Sequence, residues 1–242
     1  PLTPENTKEK IKLGFRNRII LASFGLMSRG KGYEYVIEAL PEVVKKFPKL
    51  LYLIIGETHP VVRKKRGERY RNFLERKVKK LGLKDHVKFY NKYLKSSEIV
   101  SYLKATDVYI SPSLNPNQIV SGTLSYALGC GKAIISTPFL HAKEAITPER
   151  GILLKEFRNP KLFTRAILKI LSNERLRRQM EENAYSYSRS MTWPNVALSY
   201  LKVFDEYVKV FKKYKKAISF PEIKLSHLIS LTDNFGIIQF AK

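Results

Sequence analysis

Gln118-Ile-Val-Ser-Gly-Thr-Leu-Ser-Tyr-Ala-Leu-Gly-Cys-Gly-Lys-Ala-Ile-Ile-Ser-Thr137 is the stretch on which the fold turns. It reads as a helix from Ser121 to Gly129, then a short apolar strand over Ala133–Ser136 that Thr137-Pro138 ends. The helix starts straight out of a loop with Ser121, Gly122 and Thr123, small residues whose backbone N–H groups have no intrahelical acceptor. The positive end of the helix dipole lies there, so such a start is ready to receive an anion. Ordinary capping calls for the same residues and is the commoner reason for them.

A loop of the same kind lies upstream. Arg18-Ile-Ile-Leu-Ala-Ser-Phe24 reads as a strand, Gly25-Leu-Met-Ser-Arg-Gly-Lys-Gly32 follows, and a helical pattern runs from Tyr33 to Phe47. Gly25, Gly30 and Gly32 permit close backbone approach and positive φ. Arg29 and Lys31 place two cations beside the next helix start. The loop has neither the Walker spacing nor the dinucleotide G-x-G-x-x-G spacing. Taken singly it is a strand-to-helix turn with solvated basic residues; two such loops in one βα array point to a shared anionic ligand.

On either side of this stretch the order is strand then helix throughout. Leu51–Ile55 precedes a helix over Val61–Leu81, Val87–Tyr90 precedes Ser96–Ala105, and Val108–Ser111 precedes the helix at Ser121. A short helix near His141–Ile146 and a last strand, Gly151–Leu154, follow Ala133–Ser136. The strands are continuous apolar runs, as when helices cover both faces. This predicts an α/β fold: a Rossmann-like open parallel sheet with right-handed crossovers, its ligand outside the carboxyl ends of the strands. Both loops fall at that edge. Helices then take over at Pro160–Leu171 and Glu174–Met191, and a long one opens at Thr192-Trp-Pro194. The expected organisation is a leading segment over 1–16, a Rossmann-like domain over 17–190, a long C-terminal helix over 191–216 and a weakly structured tail over 217–242.

Composition bounds the function. The chain of 242 residues can bury a full core, and its 44% hydrophobic content is that of a globular protein. One cysteine, Cys130, excludes an internal disulfide and fits a reducing, cytoplasmic setting. The four histidines have no metal-ligand spacing, so no metal is expected. No apolar run is long enough to span a bilayer. Lys+Arg number 45 against 21 Asp+Glu, a net charge of +24. Arg63–Lys80 alone holds ten basic residues and two acidic ones, Glu68 and Glu75, and Lys209–Lys216 is a second basic run on the amphipathic segment Val196–Ile218. Such density fits phosphorylated substrates or an anionic membrane surface, and equally a solvated basic face. Nucleic acid is the weakest option, because no recognition-module signature is present and Tyr70 and Phe73 read as core-facing.

Five motifs occur in a telling order: Ser23–Glu34 with Gly30-Lys31-Gly32, Ile54-Ile-Gly-Glu57, Lys84-Asp-His-Val-Lys-Phe89, Thr106-Asp-Val-Tyr-Ile-Ser-Pro112 and Cys130-Gly-Lys-Ala-Ile-Ile-Ser-Thr137. Together they resemble the C-terminal, donor-binding half of a GT-B glycosyltransferase of family 4 (group 1), over Lys8 to Val210. The resemblance implies retaining transfer of a hexose from a nucleotide diphosphate sugar such as GDP-mannose or UDP-glucose. It implies no other cofactor, no essential metal, and an N-terminal Rossmann-like half in the same or a separate chain. Two positions depart from the family pattern. Its paired glutamates fall at Gln118 and Tyr126, and its early loop arginine falls at Leu26, with Arg29 nearby. The run from Gln118 to Ala127 is similar to a subgroup in which Gln and Tyr replace the glutamates and a helical domain follows. Leu225–Ala241 resembles the opening of that next domain.

By the same resemblance Lys31, Arg29 and the N–H groups of Ser121, Gly122 and Thr123 would stabilise the departing nucleotide diphosphate, by electrostatics set up in advance. Gln118 would bond sugar hydroxyls as donor and acceptor. Tyr126 either packs by the ribose or is a core tyrosine. Gly56, Glu57 and the Asn91–Leu94 backbone, with Tyr93, would border the base and ribose. Glu144 matches the acidic residue after the last motif, or is a solvated surface carboxylate. No side chain is assigned as general base, since the leaving phosphate can take the acceptor's proton. A non-catalytic nucleotide- or polyanion-binding module and a basic membrane-surface adaptor are the competing functions.

Overall fold

The structure is a computed structural model that describes residues 5–215. Six parallel strands form one sheet in the order β3-β2-β1-β4-β5-β6: β1 Ile19–Phe24, β2 Leu50–Ile55, β3 Val87–Tyr90, β4 Val108–Ser111, β5 Ala133–Ser136 and β6 Gly151–Leu153. The order reverses between β1 and β4, the switch point at whose carboxyl end sheets of this kind hold a ligand crevice. β1 pairs with β2 along its whole length, Ile19 opposite Leu50 through Phe24 opposite Ile55, but with β4 only at Leu21–Val108 and Ala22–Tyr109. The crevice therefore opens low between β1 and β4.

Strand residues alternate between two cores. Leu21, Tyr52, Ile54, Val108, Ile110 and Ile135 pack beneath α2 (Tyr33–Lys46), α4 (Arg69–Lys80) and α8 (Pro160–Leu171) through Val36, Leu40, Leu74, Phe163 and Ile167. Ile20, Ala22, Leu53, Tyr109 and Ile134 point to the other face, where α5 (Ser96–Ala105), α6 (Gly122–Gly129) and α7 (Leu140–Ala145) supply Ile99, Leu124, Leu128 and Ala142. Both faces are covered, which is why the strands read as unbroken apolar runs.

Two local expectations are corrected. The single helix expected over Val61–Leu81 is two, α3 (Pro60–Arg66) and α4. Gly67 sits at φ 55° and ends α3 with its N–H on Arg63 O. Glu68 then accepts from Thr58 Oγ1, from Arg63 Nε at 3.0 Å and from Arg71 Nε at 3.3 Å, fixing the corner by charge. The expected leading segment contains a helix, α1 (Glu5–Lys12), held by Lys10 Nζ at 2.6 Å from Asp107 Oδ2 and by Asn6 Nδ2 at 3.0 Å from Asp107 Oδ1. Asp107 Oδ2 also accepts the Ile20 N–H at 2.7 Å.

A first unit runs to Thr192, and its last long helix is α9 (Glu174–Ser188). A second begins at Trp193, and its described part is one helix, α10 (Trp193–Lys215), whose apolar residues recur at helical spacing. No described helix is long and apolar enough to cross a membrane. The tail expected from 217 onward lies outside the described residues.

Candidate functional site

The loops after β1, β2, β4 and β5 are knitted, with the end of β3, into one platform at the carboxyl edge. Gly25 N–H bonds Ile55 O at 2.9 Å, Met27 N–H bonds Glu57 O at 2.8 Å, and Gly56 N–H bonds Tyr90 O at 2.9 Å. Leu114 N–H reaches Gly30 O at 2.8 Å, His141 N–H reaches Gln118 O at 3.1 Å, and Thr137 Oγ1 donates to Ser113 O at 2.5 Å. Two glycines make this closeness feasible. Gly32 adopts φ 67°, and a Cβ there would lie 2.3 Å from Pro112 O; on Gly56, at φ 139°, it would lie 2.1 Å from Gly25 O. No other residue fits either position.

Lys31 and the start of α6 converge over Gly25. A methyl built on Gly25 would stand 3.3 Å from Thr123 Cγ2 and 3.9 Å from Lys31 Nζ. Burial lowers the Lys31 pKa from its usual 10.5, and among the described residues its ammonium has no hydrogen-bond or ion-pair partner. The N–H groups of Gly122 and Thr123 likewise have no acceptor among the described residues. The cleft is lined by Ser23, Lys31, Ser113, Gln118, Ser121 and Thr123, with Tyr33 and Tyr109 beneath. Its floor is rigid: Tyr52 OH and Ser23 Oγ share a 2.8 Å bond, and Ser23 Oγ donates to Ile110 O at 2.5 Å. Burial pushes the Tyr109 phenol up to about 12, so it stays neutral while bonded to Thr123.

Other expected site residues are placed differently. The Ser121 N–H is not open: it donates to His141 Nδ1 at 2.9 Å, while Ser121 Oγ caps the helix through Leu124 N at 3.3 Å. His141 is therefore part of the site, and its Nδ1 must be unprotonated to accept. Burial lowers its pKa, opposed by Glu144, in keeping with that tautomer. Nothing in the sequence singles His141 out, because Ser121 lies twenty positions away. Gln118 braces its own loop, Oε1 accepting from Ser113 Oγ at 2.8 Å and Nε2 donating to Val120 O at 3.1 Å. Arg29 turns from the crevice and stacks over Phe73, 5.9 Å from the ring centre. Tyr126 is no core tyrosine: it is 41% exposed and meets Phe24 edge-on. Glu144 is exposed on α7. Glu57 pairs with Arg63 at 3.2 Å, and Asn91 Oδ1 accepts from Arg71 Nη2 at 2.8 Å.

An open parallel sheet whose edge holds a half-buried lysine against a helix start is the arrangement of a Rossmann-like anion-binding domain. The chain belongs to the glycosyl transferases group 1 family, whose model matches residues 5–187. It is 30% identical over 205 residues to an uncharacterized glycosyltransferase of Methanocaldococcus jannaschii, covering 83% of this chain and 48% of that protein. Among solved structures, the C-terminal domain of the group 1 family protein LpcC from Francisella tularensis superposes with a TM-score of 0.66 at 24% identity, over 76% of this chain and 91% of that one. HepE of Anabaena, solved in complex with UDP, superposes at 0.71 and 20% identity, over 86% and 53%. The chain thus has a Rossmann-like fold that matches GT-B glycosyltransferase neighbours, and it spans about half the length of the first curated relatives it matches.

Proposed function

We propose that this chain is the donor-binding half of a retaining hexosyltransferase, taking a nucleotide diphosphate sugar and acting with a second Rossmann-like domain that carries the acceptor. The observation that carries it is the meeting of Lys31 Nζ and the Thr123 side chain over Gly25, at the start of α6, where the Gly122 and Thr123 N–H groups have no acceptor among the described residues. A diphosphate laid there would meet one cation and two oriented N–H donors in a half-buried cleft, where each counts for more than in water. As the glycosidic bond breaks, negative charge grows on the leaving phosphate, and these groups oppose it without rearranging. Retention fits a site with no assigned side-chain base, the leaving phosphate taking the acceptor's proton. UDP in the Anabaena neighbour and the isolated C-terminal domain from Francisella tularensis support a nucleotide donor and a C-terminal half. Gln118 enters as a brace for the loop and not as a contact to the reacting bond, in line with its two internal hydrogen bonds.

A non-catalytic polyanion-binding role is favoured by one observation, the net charge of +24. A thermal-shift titration with GDP, UDP, ADP, GDP-mannose and UDP-glucose at two salt concentrations separates the two. The donor reading expects a saturable, base-selective rise that Lys31→Met abolishes, of about 2.7 kcal/mol at a hundredfold excess over Kd. A shift equal for all polyanions and erased by salt would replace it with the polyanion role.

A further inference from the structure

The ends of β2 and β3 are stitched together by one buried arginine. Arg71, on α4, is 5% exposed. Its Nη2 donates to Gly56 O at 2.8 Å and to Asn91 Oδ1 at 2.8 Å, and its Nε reaches Glu68. Its Nη1 is buried without an acceptor. A guanidinium held in that state fixes its neighbours and is not interchangeable with a solvated cation.

The consequence falls on Asn91. Guanidinium can only donate, so the amide oxygen of Asn91 is the atom that faces Arg71. Its NH2 is thereby turned away from Arg71, on an exposed residue, and makes no hydrogen bond among the described residues. The backbone acceptors beside it are each already engaged by one donor: Gly56 O by Arg71 and Tyr90 O by the Gly56 N–H. This corner of the sheet edge offers donors.

We infer that Arg71 and Asn91 make the nucleotide pocket selective for a base presenting a carbonyl oxygen, uracil or guanine, over adenine. The inference rests on the proposed seat of the diphosphate over Gly25. Strands lie about 4.8 Å apart, so Asn91, two strands beyond β1, is roughly 10 Å from that seat, the reach of a nucleoside. On the way lies Glu57, a carboxylate suited to a ribose diol, and two residues past Asn91 is Tyr93, whose ring is 76% exposed and suited to stacking. An asparagine ordinarily pairs with adenine through both amide atoms, the oxygen taking the amino group. Here the oxygen already accepts from Arg71, and the adenine amino group would compete with that guanidinium for it. A carbonyl at the same place takes the Asn91 NH2 directly. Asn91 is the specificity residue, and Arg71 is a positioning residue acting through it.

The test is titration of UDP, GDP and ADP into the 242-residue chain and into its Asn91→Asp and Arg71→Met variants. Wild type should bind UDP or GDP about tenfold more tightly than ADP, the worth of one well-made hydrogen bond. Asn91→Asp, a change at an exposed position, should erase or invert that ratio. Arg71→Met, where it folds, should narrow the ratio by raising the relative affinity for ADP, which loss of structure alone would not do. Equal binding of all three nucleotides, still abolished by Lys31→Met, overturns this inference and leaves the donor site standing. So does a ratio that Asn91→Asp leaves unchanged. Failure of every nucleotide to bind overturns both.

Discussion

The two edges of the sheet handle charge in opposite ways. At the amino edge the ionic groups close on one another. Asp107 accepts from Ile20 N, Lys10 and Asn6 and lies 3.7 Å from Arg177, which pairs with Glu181 at 3.0 Å, while Lys132 Nζ bonds Thr106 O at 3.1 Å. At the carboxyl edge Lys31, the Gly122 and Thr123 N–H groups and the Asn91 NH2 have no acceptor among the described residues. Lys31 and Lys132 make the contrast sharp, since burial lowers both pKa values, yet only Lys132 has a partner among the described residues. A buried cation with a fixed carbonyl is a brace; one held beside open N–H donors is, on the proposed function, the seat of an anion. On the proposed function, stability is concentrated at one edge and binding at the other.

The largest effect should come from breaking the closed edge. Asp107→Ala removes the carboxylate partner of Lys10, leaving it only Arg18 O at 2.9 Å, strips the Ile20 N–H of its acceptor, and should cost about 3–5 kcal/mol in denaturant unfolding. The nucleotide affinity of the folded fraction should not change; a parallel loss would mean that the edges are not separable. Gly32→Ala comes next. It strains a φ of 67° and drives a methyl into Pro112 O, so about 1–3 kcal/mol of stability and most of the binding should go together. If binding survives, the loop is not the cradle.

Lys31→Met sharpens the contrast at smaller cost. Nucleotide affinity should fall roughly ten- to hundredfold, the worth of a charge-assisted bond of about 1.5–3 kcal/mol. The unliganded protein should hold or gain stability. The sign follows from the depressed pKa: the folded state binds the Lys31 proton less tightly than the unfolded state, so the charge opposes folding at neutral pH. That opposition is relieved only as pH rises through the folded pKa toward 10.5. A marked loss of unliganded stability would show that Lys31 is a structural brace like Lys132. The smallest effect belongs to His141. With its folded pKa below the usual 6.5, its contribution is complete above 6.5 and is lost as pH falls through the folded value. A shallow acid-side slope in Tm that His141→Asn removes is expected, and an unaltered slope would put the titration elsewhere.

The fold was largely legible because the sheet is buried on both faces. Continuous runs such as Val108–Ser111 and Ala133–Ser136 coincide with the strands, and the βα order alone implied a parallel sheet. What escaped depended on distant partners. The α1 helix has little apolar periodicity and is held from across the chain by Asp107. The break at Gly67 is set by a backbone angle and by the carboxylate of Glu68, which a helical pattern rich in Arg and Lys conceals. In the site, Lys31 and the small residues opening α6 were visible as local motifs. The occupied Ser121 N–H and the turn of Arg29 toward Phe73 were not, since each is decided by a neighbour that folding brings up, and the inward bonds of Gln118 to Ser113 and Val120 depend on a loop conformation that no local motif announces.

The most direct test pits the two lysines against each other. Melting temperatures of wild type, Lys31→Met and Lys132→Met would be measured with and without saturating UDP or GDP. Lys132→Met should lower the unliganded melting temperature but keep the nucleotide-induced rise, whereas Lys31→Met should keep the unliganded value and lose the rise. A nucleotide-induced rise that persists in Lys31→Met, or disappears equally in both variants, would contradict the proposed function.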